Sequence, residues 1–527
     1  MRRSAGVLLA VALTALGVAL HREAHEVLLD GYDSFSLPGF DAHVYAAMAD
    51  DPAFFTLPPW GQRILVPWLA HLAPGAPVDA WRAISYAALL ASGGLLYLFL
   101  RRLGCGGKAS LLAVVVFAFS MPVESAVAYP FLVEPVTLLL LLGLLLGLEA
   151  GAGAGVLAPL AVLAVLSKEV TLFFLPVVFF ARRDRDGWRR SLATALATAA
   201  PAALAWAVLR LWWVPAAALA EGTSVDVLWL ALWRLIERAP DWWRWAMLGG
   251  LTPLALLGAL RPKARPWLVR YGYLLAATWA LPFVASVYTA APSVPFFGED
   301  IPRLLLYAMP LTLAFALVAL DTVLRHLGPE VSRAHFDTPL ATLGALAAVG
   351  LALLPVLSQD RYRRADLTGP RDGRFVLAFC RESLAGARRL AAGRVVDLAP
   401  ELRSFVPGKT LPELAGRMRW FLRTGFGPKP QYDTGPVITR EREATLLLPC
   451  LQPEDWNLGL VATSQMPMRV RLLLNGRGVG ELELTAEPSK QHVILPGGVL
   501  FRGDNELRLV AAAPGVRLHE LRLRAAR

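Results

Sequence analysis

Apolar residues set the rhythm of the first two thirds of the chain. Residues 5–20 carry no charged side chain, and long apolar stretches recur at 83–100, 109–121, 132–148, 191–213, 245–260, 268–288, 303–324 and 338–357. A membrane-spanning helix needs roughly 20 apolar residues, about 17 at the low end, so these stretches predict membrane helices. Two shorter pieces, 155–167 and 170–181, flank Lys168-Glu169. Each is short for a span. They read as half-helices meeting at a polar apex, tolerated where backbone is buried in protein or lines a cavity.

From about residue 436 the period changes to two. The segments EATLLLP, NLGLVAT, MRVRLLLN, GVGELELT, KQHVILP, NELRLVA and VRLHELRLR alternate apolar and polar positions. Asn475-Gly476 lies between two of them as a hairpin signal. Seven or eight short strands with regular turns predict a β-sandwich. Between the two regimes, 375–390 and 411–422 are amphipathic helical pieces suited to a membrane surface or to packing on the next domain. The predicted organisation is an α-helical polytopic membrane domain over 1–357, a helical linker over 358–435 and an all-β sandwich over 436–527.

Composition agrees with this division. The chain is 56% hydrophobic, above the roughly 45–50% of soluble proteins, and all three Asn residues (Asn457, Asn475, Asn505) fall in the last part. A net charge of +11 raises the question of nucleic acid. The basic residues instead form short clusters between apolar runs: Arg101, Arg102 and Lys108; Arg182, Arg183, Arg185, Arg189 and Arg190; Arg261, Lys263 and Arg265; Arg325 and Arg333. They alternate with loops 122–131 and 286–302, which hold no Lys or Arg. That is the positive-inside pattern, not a nucleic-acid surface. It predicts about eleven membrane segments, with the N-terminus cytoplasmic and the C-terminal domain extracytoplasmic. Arg2 and Arg3 before the first run also fit a signal peptide, but a retained first helix suits a polytopic chain better. The Trp-rich stretch 214–244 is expected to lie flat at the interface. Cys380 and Cys450 would pair in an oxidising compartment, though two buried free thiols are the simpler expectation. The absence of an Asn-x-Ser/Thr acceptor fits a bacterial protein, and the expected location is the inner membrane.

Ionisable groups in or beside membrane segments are costly and are functional candidates by default. This orientation collects them on the outer side. Asp33 and Asp41 lie in the first outer loop, and Arg63 follows in an Arg-x-Leu-x-Pro setting. A helix N-cap is the structural alternative for Asp41. Asp50 and Asp51 read as a solvated turn before Pro52, and Glu124 reads as solvated. Glu134 stands at the mouth of a Leu-rich run. Lys168 sits inside a membrane stretch, with Glu169 as its ready ion-pair partner; Glu299, Asp300 and Arg303 mark the entry to a late span. Carboxylates serve as general base or as ligands of a divalent cation, and cations hold a phosphate leaving group.

The sequence resembles the bacterial GT-C class of polytopic glycosyltransferases, which use polyprenyl-phosphate-linked sugars. Four segments carry the resemblance across 1–357: GFDAHVYAAMAD; WGQRILVPWLAHL; FLVEPVTLLLLLGLLL together with LAVLSKEVTLFFLPVVFF; and EDIPRLLLYAMPLTLAF. It implies inverting sugar transfer to an extracytoplasmic glycan, lipid or protein. Asp41, with Asp33 second, would be the acceptor base or a metal ligand, Glu134 a second acid, and Lys168, Arg303 and Arg63 the donor-phosphate holders. Glu169, Glu299 and Asp300 would support them. Asp33 and Asp41 lie eight positions apart, not as a tight acidic pair, so metal dependence is open. The run VRLLLNGRGVGELELT…VILPGGVLFRGDNELRLV resembles galactose-binding-like jelly rolls, implying glycan recognition or, alternatively, a structural cap. Two rival readings are a transporter or flippase of a lipid-linked glycan and a non-catalytic scaffold of the same fold. The first needs inverted repeats, and no internal repeat is evident.

Overall fold

The computed structural model describes residues 3–25, 45, 48–52, 60–75, 77–128, 131–213, 251–289, 303–326, 385–397, 422–424, 437–439 and 441–526. They form two compact units. The expected span 338–357, the Trp-rich loop 214–244, Cys380 and most of the linker lie outside the described residues.

The first unit is helical. Its elements are α1 (Arg3–His25), α3 (Pro77–Arg102), α4 (Gly107–Ala118), α5 (Met121–Ala128), α6 (Glu134–Glu149), α7 (Ala154–Ser167), α8 (Val177–Asp186), α9 (Trp188–Val208), α10 (Leu251–Ala259), α11 (Arg265–Thr289) and α12 (Met309–His326). Among the described residues, three helical stretches are long and apolar enough to cross a membrane: Ser4–Glu23, Asp79–Arg102 and Trp188–Leu211. This is the make-up of a membrane protein. A fourth counts if α4 and α5, bent by 50° at their junction, form one broken span. The run 109–121 is thus interrupted. The Phe119 and Ser120 amides turn back to Val115 and Phe117, and Ser120 Oγ donates to the Phe117 carbonyl at 2.7 Å, closing α4 before α5 starts.

Small residues bring the helices together, as expected where lipid supplies no hydrophobic drive between them. α10 packs closely on α12, and a Cβ built on Gly258 would lie 1.8 Å from the Phe315 carbonyl oxygen. Gly93 of α3 is similarly filled by Thr14 Oγ1 of α1, 2.0 Å from the position of a Cβ. Gly258→Val must push the two helices apart. Overpacking of this kind costs about 3 kcal/mol. The expected result is a matching loss of stability in detergent unfolding curves, with Gly258→Ala falling between.

The second unit holds α2 (Leu65–Leu72), the 3₁₀ turn Trp60–Gln62, neighbouring first-loop residues and every strand among the described residues. The strands are β1 (Val396–Asp397), β2 (Leu422–Thr424), β3 (Val437–Ile438), β4 (Glu443–Cys450), β5 (Trp456–Thr463), β6 (Met468–Leu474), β7 (Arg477–Leu484), β8 (Ser489–Leu495), β9 (Gly503–Ala511) and β10 (Arg517–Ala525). They make two antiparallel sheets, β1-β10-β5-β8 with β3 also on β10, and β2-β4-β9-β6-β7. The period-two pattern explains the core between them. Trp456, Leu458 and Leu460 of β5 face inward and share one apolar cluster with Leu446, Leu472, Leu482 and Leu507 of the other sheet. Asn475 and Gly476 both adopt positive φ (49° and 82°), as a two-residue turn between β6 and β7 requires. Asn475 Nδ2 donates to Asn505 Oδ1 at 2.9 Å, tying this turn to β9. Cys450 is a buried free thiol, and burial pushes its pKa up to about 12.

Candidate functional site

Three charged side chains, from segments far apart in sequence, meet inside the helical unit. Glu134 is the first residue of α6, and Pro135 follows in the first turn, where its missing N–H costs nothing. A carboxylate there is favoured by the partial positive charge of the helix N-terminus. Lys168 stands at the C-terminal end of α7, where the opposite partial charge favours a cation. Its backbone is extended (φ −157°, ψ 121°), and the chain re-enters a 3₁₀ turn at Glu169–Phe174. This is the break expected between the two short apolar pieces. Thr171 closes it with its hydroxyl, which donates to the Lys168 carbonyl at 2.8 Å.

The Lys168 ammonium donates to Glu134 Oε1, with both side chains almost fully buried. The neighbouring Glu169 had been the expected partner; the structure shows a bond reaching to another helix, 34 positions back. Arg303 adds a second cation, its Nε 3.8 Å from Glu134 Oε1. Tyr307, on the 3₁₀ turn Leu305–Tyr307, presents its ring 5.7 Å from Lys168 Nζ, a cation–π distance. Below the pair, Thr137 Oγ1 and Ser167 Oγ lie 2.7 Å apart and join α6 to α7. Two cations and one carboxylate are thus gathered in a nearly dry setting. That is an arrangement able to take up a phosphate anion, through the compact ammonium and the planar guanidinium.

Glu124 corrects an expectation. Read as solvated, it is fully buried on α5, a short helix packed against both α1 and the Leu305–Tyr307 turn. The run 122–131 looks like an outer loop, but α5 folds it back into the bundle. Nothing in the local pattern signals this except the turn residues Ser120 and Pro122.

The far end of α6 carries a second polar cluster. It is separated from the first by the helix length, about 22 Å at 1.5 Å per residue. Glu149 accepts hydrogen bonds from Arg270 Nη1 (3.0 Å) and from the Tyr271 hydroxyl. Nearby, Asp186 accepts from Arg182 Nε (2.5 Å) and Arg185 Nε (2.9 Å). The bond from Arg185, aided by that from Arg182, holds the Asp186 carboxyl below the usual carboxylate range. These contacts tie the α8 terminus into place and are structural.

In the second unit, Arg63 is buried after the Trp60–Gln62 turn, and its Nη1 donates to the Tyr45 hydroxyl at 2.7 Å. Asp51, expected in a solvated turn, is 8% exposed and is bonded by Arg502 Nη2 at 3.1 Å. The first loop is thereby fastened to the β9 entry. Asp33, Asp41, Glu299 and Asp300 lie outside the described residues. Among the described residues, no three His, Cys, Asp or Glu side chains group closely enough to hold a metal ion.

Together these features define a helical membrane protein with a buried acid–base cluster and a C-terminal module of antiparallel sheets. No protein-family description matches the chain, and no curated protein does. Among solved structures, the chain is similar to the Archaeoglobus fulgidus oligosaccharyltransferase, crystallised in complex with zinc and sulfate. The TM-score is 0.43 at 15% identity, covering 80% of this chain and 63% of that one. The chain therefore spans less than two thirds of that enzyme's length.

Proposed function

We propose that the protein is a membrane glycosyltransferase that moves a sugar from a polyprenyl-phosphate donor to an extracytoplasmic glycan, lipid or protein. The observation that carries this reading is the burial of Glu134, Lys168 and Arg303 together at a break between membrane helices. Two cations gathered on one carboxylate offer an anionic headgroup charge-assisted hydrogen bonds from both an ammonium and a guanidinium, and a lipid phosphate brings its charge to this depth with its tail still in the bilayer.

In this reading Lys168 and Arg303 hold the donor phosphate. Glu134 is a positioning residue: it keeps both cations on one side of the pocket when the phosphate is absent. Asp41 of the first loop takes the proton from the acceptor hydroxyl, with Asp33 second to it. The acceptor oxygen attacks the anomeric carbon, the bond from that carbon to the phosphate oxygen breaks, and polyprenyl phosphate leaves. Configuration at the anomeric carbon inverts, because attack and departure take place on opposite faces. Lys168 and Arg303 stabilise the charge that develops on the leaving phosphate. Arg63 is a third candidate holder of the donor phosphate, and Glu169, Glu299 and Asp300 have supporting roles. The strand module, read as a jelly roll, serves recognition on the outer face of a bacterial inner membrane.

The test is turnover by the purified full-length chain in lipid nanodiscs, supplied with a panel of hexosyl and pentosyl polyprenyl phosphates. Sugar-dependent release of polyprenyl phosphate in the presence of an extracted envelope glycan is the expected result. A panel without release, from a preparation that retains its fold, would overturn the reading.

A further inference from the structure

The outer face of the sheet β1-β10-β5-β8 is unlike that of its partner sheet. On the partner sheet, outward cations sit opposite outward acids: Arg469 pairs with Glu483 and Arg471 with Glu481 across β6 and β7. Such pairs neutralise each other and stabilise the ladder modestly. On the first sheet the register builds different rows. Lys490, Val461 and Glu520 form one, His492, Gly459 and Arg522 the next, and Ile494, Asn457 and Arg524 the third. Arg517 extends the face beyond the bulge in β10. The cations are Arg517, Arg522, Arg524 and Lys490. Against them stands Glu520.

The middle row has no side chain on its central strand. Gly459 adopts no positive φ, so its backbone does not call for glycine, and glycine weakens a strand interior. A Cβ there would lie in ordinary contact with Cε1 and Nδ1 of the His492 ring, at 3.4 and 3.5 Å, and with the Arg522 carbonyl oxygen at 3.9 Å. What glycine provides is a bare strip of backbone, walled by the exposed His492 on one side and by Arg522, 56% exposed, on the other. Arg522 is steadied by Glu520 at 3.5 Å. At one end of the strip, His492 Nδ1 lies 3.1 Å from Asn457 Oδ1, a bond that orients both polar groups. Ile494, 51% exposed, supplies an apolar edge beside them.

We infer that this face is a binding site for an acidic oligosaccharide, a glycan bearing uronate carboxylates. A pyranose ring is flat enough to lie on the Gly459 strip, with an apolar face for Ile494. Its hydroxyls meet the Asn457 amide and the His492 ring. Its carboxylates meet Arg522, Arg524 and Lys490, guanidinium pairing with carboxylate in the favoured two-bond fork. The site rests on the recognition role proposed above for the strand module, and its binding is measured without the transfer reaction.

The test uses full-length protein in detergent, titrated with a galacturonate hexasaccharide, with maltohexaose and with phosphatidylglycerol vesicles as comparisons. Binding of the galacturonate and not of maltohexaose is expected. Arg522→Ala with Arg524→Ala should weaken it at least tenfold. Gly459→Val fills the strip with a residue of higher strand preference, so thermal stability should hold or rise while binding falls at least tenfold. Gly459→Val binding galacturonate as the parent does, with its fold intact, would overturn the inference. So would a parent chain that binds the vesicles and not the hexasaccharide.

Discussion

Replacing Lys168 with Met is expected to lower kcat/KM for the polyprenyl-phosphate donor about a thousandfold, equivalent to about 4 kcal/mol. The side chain is buried and bonded to Glu134, so the change removes a phosphate ligand and also leaves a carboxylate with one cation fewer. Breaking a buried ion pair by itself costs about 3–5 kcal/mol of stability. A loss of activity in the single variant therefore has two explanations. The double variant Glu134→Gln with Lys168→Met separates them. If the pair only stabilises the fold, removing both charges restores stability and activity together. If Lys168 holds the donor phosphate, stability returns and transfer stays lost. Detergent unfolding curves and transfer rates on the same four proteins form a double-mutant cycle that reads both.

Asp41→Asn should abolish transfer while leaving membrane insertion and expression at parental levels. Asn has the same shape and cannot take a proton from an acceptor hydroxyl. A general base contributes about 10²–10⁴ in rate. As an N-cap, Asp and Asn are nearly equivalent, so a capping role would leave activity and stability alike unchanged. Asp33→Asn is the companion measurement, and a smaller loss is expected there. Full activity in Asp41→Asn would remove Asp41 from the role of base.

The strands were legible in the sequence because one face of each is buried and the other wet, which imposes period two. All seven quoted segments appear as strands, and Asn475-Gly476 turns where its φ preferences require. The break at Lys168 was legible for a related reason. An ionisable pair between two apolar runs too short to span leaves the backbone little choice but to interrupt the helix. What could not be read is partnership across the bundle. Lys168 has an acid beside it in sequence, yet the bond goes to Glu134, brought close by the packing of α6 on α7. Glu124 was misread for the converse reason: its loop-like neighbours gave no sign that a short helix would carry it back among apolar residues. Span counting suffered similarly at 109–121, where a hydroxyl-capped turn divides an apolar run that hydropathy alone treats as continuous.

The position of β10 has a consequence for synthesis. It is made after every other described strand, yet it lies inside its sheet, bonded to β1, β3 and β5. Val396 must wait for Leu523, translated well over a hundred codons later, before its strand has a neighbour. Long-range pairings of this kind close slowly. During that interval β5 presents an open edge, and a chaperone or a quality-control protease would meet a half-built sheet. A premature stop just before β10 would leave the protein permanently in that exposed condition, with its membrane helices already in place.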